Sequence, residues 1–186
     1  MEKIKFNFNE KLYEFPLVRG SENELGIDIK SLRNETGLIT LDPGYKNTGS
    51  CISNITYLDG EKGILRYRGY DIDDLANNSS FIEVAYLLIF GELPSNEVLS
   101  KFENDIKKES LVHEDISNIL KSFPHGAHPM GVLASLTSAL ISFNPTSVDV
   151  NSDEKMYFAI VQLIAKFAVI SSWVHRKVAG LPLNYS

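Results

Sequence analysis

Cysteine is almost missing: Cys51 is the only one among 186 residues. A lone thiol excludes an internal disulfide framework and any thiolate metal cluster. It suits a reducing compartment, so a cytoplasmic location is expected. Positive charge is also short, with 18 Lys and Arg against 24 Asp and Glu and a net charge of −6. Phosphate binding needs clustered Lys and Arg, so no nucleic-acid partner is expected. No long run of one sign occurs; Asp105-Ile106-Lys107-Lys108-Glu109 is mixed and reads as a solvated helix face. The start lacks a basic-then-apolar segment, so no secretory signal is expected. The most apolar window, Met156–Val174, holds Gln162 and Lys166 and reads as a buried helix, not a membrane span. His113, His125, His128 and His175 do not have zinc spacing. Asp71, Asp73 and Asp74 lack the Gly and Glu of a calcium loop, and a helix N-terminus explains them better. No metal is expected.

What is present is ordinary globular material, 44% hydrophobic and 23% charged, within the length of one domain. The stretch from Ile52 to Ala76 is the most structured to the eye. Two β-prone runs, Ile52–Leu58 and Ile64–Tyr67, flank Asp59-Gly60-Glu61-Lys62-Gly63. Asp-Gly is expected to supply the positive φ of a tight hairpin turn, and Gly63 a bulge. Gly69 should end the strand. Asp71 can then cap a short helix with Ile72 and Leu75 facing inward. Upstream, Met1–Arg19 alternates apolar with polar residues about a turn at Asn9-Glu10-Lys11, a second hairpin. Gly20–Gly26 reads as a polar link, Asp28–Asn34 as a helical turn, and Gly37–Cys51 as a strand followed by an ordered loop.

From Asp71 onward the pattern is helical. Ser80-Phe81-Ile82-Glu83 is a capping box, in which hydroxyl and carboxylate satisfy each other's backbone donors. Val84, Leu87 and Leu88 give the apolar face, and Gly91 with Pro94 stops the helix. Ser95 opens the next, with Val98, Leu99, Phe102 and Ile106 in register. His113-Glu114-Asp115 opens another, packed through Ile116, Ile119, Leu120 and Phe123 and ended by Pro124. Over His128–Phe143, Met130, Leu133, Leu136 and Leu140 are expected on one face. Gly131, Ala134, Ser135, Ser138 and Ser142 form a second face of small residues, which lets another helix axis come close. A last helix, from about Asp153 to Val178, starts acidic and ends in His175-Arg176-Lys177, as the helix dipole favours. The expected fold is mainly α: a β-rich N-terminal region over residues 1–70 with hairpins, then an α-helical body over 71–186.

Several motifs in order resemble citrate synthases. Gly63-Ile64-Leu65-Arg66-Tyr67-Arg68-Gly69-Tyr70-Asp71-Ile72 is similar to a motif near the start of that family. Leu41-Asp42-Pro43-Gly44, Asn47-Thr48 and Ser50-Cys51 resemble the segment before it in the long bacterial (type II) form. Gly91-Glu92-Leu93-Pro94 and His128-Pro129-Met130 follow in the family's order, and the likeness runs from Gly37 to Pro182. The resemblance implies a multi-helical large-domain portion preceded by a small β-rich region, that is, the N-terminal part of the enzyme. It implies an acyltransferase of the citric acid cycle that condenses acetyl-CoA with oxaloacetate and water to citrate and CoA. The substrates it implies are acetyl-CoA and oxaloacetate, with no covalently bound cofactor and no metal expected. A homo-oligomer, either a dimer or a hexamer of dimers, is also implied. A 2-methylcitrate synthase using propionyl-CoA is the rival within enzymes, and a non-catalytic helical interaction module the rival outside them.

In the family a carboxylate takes a proton from the acetyl methyl, one histidine stabilises the enol oxygen, and another polarises the oxaloacetate carbonyl. The resemblance places all three beyond Ser186. No catalytic residue is therefore assigned, and the CoA-binding residues are left open. His128 is better explained by a helix start with Pro129 at the first position. His125 reads as a loop residue, and His113 and His175 as helix ends. Arg66 and Arg68, alternating about Tyr67, should share one face, for an anionic ligand, a subunit contact or solvent. Arg176 and Lys177 are candidates for CoA phosphates, although a basic helix C-terminus is explained by its dipole. Cys51, in a β context, reads as a packed thiol. The long bacterial form is often inhibited by NADH. Here the family's basic, His-rich turn corresponds to Lys108-Glu109-Ser110-Leu111, a tyrosine position to Asn144 and an arginine position to Gln162; only Lys166 is kept. Loss of a cation and gain of Glu109 should leave NADH inhibition weak or absent. The chain alone is expected to be inactive and prone to aggregate.

Overall fold

The computed structural model describes residues 2–143 and 152–184; Asn144 lies outside them. The chain divides into two compact units, Met1–Asn54 and Ile55–Ser186.

In the first unit, β1 (Lys3–Phe8) and β2 (Lys11–Arg19) form the expected N-terminal hairpin. Asn9 and Glu10 carry it round with φ of 49° and 63°, the left-handed pair that matches strand twist in a two-residue loop. Phe15 is the buried anchor of this unit, its ring 6.5 Å from that of Phe6. The supposed polar link is not all link. Leu25–Ile27 forms β3, antiparallel to β2, with Leu17 opposite Ile27. Its short Leu-Gly-Ile pattern is too brief to announce a strand, and the open edge of β2 supplies the pairing. Helix α1 (Leu32–Thr36) begins later than expected and ends on Gly37 at φ 76°. No strand forms within Gly37–Cys51. Pro43 and left-handed Gly44 and Tyr45 break it. The Asp42 carboxylate gathers the backbone instead, accepting from Lys46 N (3.2 Å), Asn47 N (2.8 Å) and Thr48 Oγ1 (2.6 Å). Such local bonds compete with pairing in a sheet. The Thr48 hydroxyl first, then the Asn47 amide, hold that carboxyl below its usual range.

The second unit opens with an antiparallel sheet of β4 (Thr56–Asp59), β5 (Ile64–Tyr67) and β6 (Tyr70–Asp71). The first run therefore becomes strand only at Thr56, and Cys51 is exposed rather than packed. The hairpin turn is not carried by Gly60. The left-handed residue is Gly63 (φ 67°), and Asp59 closes the loop by accepting from Glu61 N and Lys62 N. Strand β5 does end ahead of Gly69, after Tyr67, but the sheet goes on. Arg68 (φ 51°) and Gly69 (φ 90°) make a two-residue turn that places Tyr70 opposite Tyr67.

Helices follow with short connections: α2 (Ile72–Asn78), α3 (Phe81–Phe90), α4 (Asn96–Lys108), α5 (Glu114–Ser122), α6 (Pro129–Phe143) and α7 (Asp153–Val178). Their starts are local chemistry. Asp71 accepts from Asp73 N at 3.0 Å. Ser80 and Glu83 form the full capping box, Glu83 N to Ser80 Oγ at 3.3 Å and Ser80 N to Glu83 Oε2 at 2.6 Å. Ser95 and Ser152 cap α4 and α7 through the hydroxyl alone, which accepts from Val98 N and Lys155 N. Gly91 at φ 99° ends α3 in the conformation that glycine adopts most easily.

Two clusters make the core. One joins α5, α6 and α7 through Ile116, Leu120, Val132, Leu136, Ile170 and Trp173. The other sets the rings of Tyr86, Phe90, Phe102 and Tyr157 edge-on or tilted against each other, at centroid distances of 5.4 to 6.1 Å for the three pairs that include Phe102. Helix α6 faces a different way from the expectation. Val132, not Met130, joins Leu136 and Leu140 in the core, and Met130 is 63% exposed. The heptad-like spacing of leucines fixed a stripe but not its edge, which depends on where α5 and α7 lie. The small-residue face is the exposed one: Gly131, Ala134, Ser135, Ser138 and Ser142 are all open to solvent in this chain. Helix α7 is long and apolar enough to cross a membrane by length and composition. Its Val161, Ala165, Ile170, Trp173 and Val174 lie in the core, with Gln162 and Lys166 buried among them.

Candidate functional site

Three of the candidate cations, Arg68, Lys166 and Lys177, share one kind of job. The last carbonyls of a helix have no partner inside it, and they sit at the negative end of its dipole. In the second unit three helix C-termini each receive a long cationic side chain from another element.

Arg68 serves α3. Its Nη2 donates to Leu88 O at 2.9 Å, and its backbone N donates to Ile55 O at 2.7 Å. Because Arg68 occupies the left-handed turn, it leaves the strand and does not share a face with Arg66. Arg66 stays on β5, opposite Tyr57, with its guanidinium 5.8 Å from the Tyr57 ring centroid. The alternation rule failed here because the strand stops at Tyr67.

Lys166 serves α4. It rises from the buried face of α7, and its Nζ donates to Glu109 O at 2.8 Å and Leu111 O at 3.0 Å. The Glu109 carboxylate lies 3.7 Å away, and Gln162 Nε2 donates to the same Glu109 Oε2 at 2.9 Å. The Lys166 side chain is only 8% exposed. An ammonium at that depth is tolerable because it donates to two carbonyls and pairs with a carboxylate. One turn before Glu109, Asp105 Oδ2 accepts from the hydroxyl of Tyr157, which lies nearer the start of α7, at 3.0 Å. Burial, and then that bond, push the Tyr157 phenol up to about 12. The Gln162 and Tyr157 contacts escaped the sequence. Both depend on α4 and α7 packing side by side; the signal was polar side chains on an apolar helix facing acids four residues apart.

Lys177 serves α5. Its Nζ donates to Phe123 O at 2.7 Å and also to Leu120 O. Beside it, Arg176 Nε donates to Pro182 O, Leu181 N donates to Arg176 O at 2.8 Å, and Trp173 Nε1 donates to Asn184 O at 2.6 Å. The segment after α7 therefore folds back along the helix. An open groove there, lined by Leu120, Lys121, Leu181 and Pro182, has the Lys177 ammonium engaged with carbonyls.

Two of the histidines, His113 and His128, hold helix starts. His113 Nδ1 accepts from Asp115 N at 3.2 Å as the cap of α5, its ring centroid 4.8 Å from that of Phe143. His128 Nδ1 accepts from Met130 N at 3.3 Å, ahead of Pro129 at the first position of α6. His125 lies in an exposed loop and His175 in the exposed last turn of α7. Among the described residues no three of His, Cys, Asp and Glu come together as a metal site would require. What the arrangement can do is hold a helical scaffold rigid at its helix ends.

The family model described as "Citrate synthase, C-terminal domain" matches residues 44–186. The chain is similar to the citrate synthase of Corynebacterium glutamicum, 43% identical over 173 residues, which is 93% of this chain and 40% of that protein. Among solved structures, the citrate synthase from Pyrobaculum aerophilum superposes with a TM-score of 0.67 at 26% identity, covering 92% of this chain and 40% of that one. The citrate synthase of Thermoplasma acidophilum, in a ternary complex with carboxymethyl coenzyme A and oxaloacetate, gives a TM-score of 0.68. Its identity is 21%, over 78% of this chain and 38% of that one, a likeness of fold. This chain thus spans 40% of the length of the curated relative.

Proposed function

Since the chain belongs to the citrate synthase family, we propose that the protein containing it condenses acetyl-CoA with oxaloacetate and water to give citrate and CoA. The observation that carries this reading is the 43% identity to a citrate synthase, held across 93% of the chain. That relative is named a citrate synthase and not a 2-methylcitrate synthase, which supports acetyl-CoA over propionyl-CoA as the acyl donor here. This chain's part is scaffolding. Its helices, pinned at their C-termini by Arg68, Lys166 and Lys177, give a fixed surface on which substrate-binding groups from the rest of the enzyme are set. It supplies the N-terminal part of that enzyme, works in the cytoplasm, and needs neither a metal nor a covalently held cofactor. The enzyme is a homo-oligomer. The exposed small-residue face of α6 supports this, since such a face lets a second helix approach closely.

The test is CoA release by the native protein, followed with a thiol reagent, with and without oxaloacetate. The expected result is oxaloacetate-dependent release that is faster with acetyl-CoA than with propionyl-CoA. Release with propionyl-CoA alone would reassign the donor, and no release with either would overturn the activity. Reading the coding sequence past codon 186 gives a second check. Further histidine and aspartate motifs are expected there, and a stop codon would favour a helical interaction module.

A further inference from the structure

We draw no further inference here: the strongest candidate, the exposed apolar stripe of Met156, Leu163 and Phe167 along the outer face of α7, carries nothing because nothing in the structure shows what covers it.

Discussion

Lys166 on α7 donates to the main-chain oxygen of Glu109, 2.8 Å away, just past the last residue of α4. The bond joins two helices that are far apart in sequence. It also uses up the cation that the sequence offered as a ligand-binding group. The ammonium also donates to the Leu111 carbonyl and pairs with the Glu109 carboxylate. Removing Lys166 would leave two carbonyls and a carboxylate facing a buried gap. Lys166→Met is expected to cost about 2–3 kcal/mol, the usual penalty for orphaning buried polar groups. Glu109→Gln keeps both carbonyl bonds and should cost under about 1 kcal/mol. Denaturant unfolding of the two variants beside the native protein would check the order. A larger loss in Glu109→Gln would mean that the ion pair, not the capping of α4, holds the site.

Inhibition by NADH should be weak or absent for the same reason. An anionic dinucleotide at this position would meet an ammonium already bonded to carbonyls, with the Glu109 carboxylate beside it. Displacing those bonds costs more than a screened phosphate contact returns. Rates of CoA release measured at low salt across a rising NADH concentration should stay level. A fall at micromolar NADH would show that Lys166 can be drawn out of its cage.

Much of this architecture could be read from the chain itself, because its signals are local. A capping box needs only Ser80 and Glu83, three residues apart, and Asp71, Ser95, His113 and Pro129 mark helix starts in the same short range. The misses share a different cause. Whether Val132 or Met130 enters the core depends on where α5 and α7 pass. Leu25–Ile27 becomes a strand only when β2 offers an edge. Arg68 leaves the face of Arg66 because the turn claims it, and a period of two carries no notice of where a strand stops. The candidate cations were visible as residues, and the helix dipole already suggested a structural role for Lys177. Their acceptors lie about 55 positions away for Lys166 and Lys177 and 20 for Arg68, a separation that no window of sequence spans.

Arg68 tests whether a cap from outside the helix matters. Arg68→Ala keeps a left-handed backbone strained for any side chain and loses the bond to Leu88 O. A cost of about 1–2 kcal/mol is expected. Arg68→Gly loses the same bond but relaxes the turn, so it should be the milder of the two by about 1 kcal/mol. Thermal melts of both variants, read by circular dichroism, decide it. Equal losses would place all of the effect in the guanidinium and none in the backbone.

The capping box of α3 gives a pH dependence with a definite sign. Hydrogen bonds from the Ser80 backbone, then from its hydroxyl, hold the Glu83 carboxyl below its ordinary 4.5. A carboxylate with a depressed folded value stabilises the fold fully above the unfolded value and loses that contribution as pH falls through the folded one. Native protein should therefore be more stable than Glu83→Gln near neutrality. The difference in melting temperature should close as the pH drops below about 4.5. A gap that persists unchanged to pH 3 would mean the neutral carboxyl caps as well as the anion.

The outer face of α7 makes the last prediction. Leu163 and Phe167 lie one turn apart and are 51% and 42% exposed, and Met156 sits two turns earlier on the same side. Contiguous apolar surface of this kind drives association in water. None of the three lies in the core clusters, so a charge there should leave the helix packing intact. Leu163→Asp with Phe167→Asp is expected to give a species that stays dispersed at concentrations where the unaltered 186-residue chain forms larger particles. Sedimentation velocity reads particle size, and circular dichroism checks that helix content is unchanged. If both chains sediment alike with equal helix content, the stripe is not what brings copies together, and the small-residue face of α6 becomes the surface to alter next.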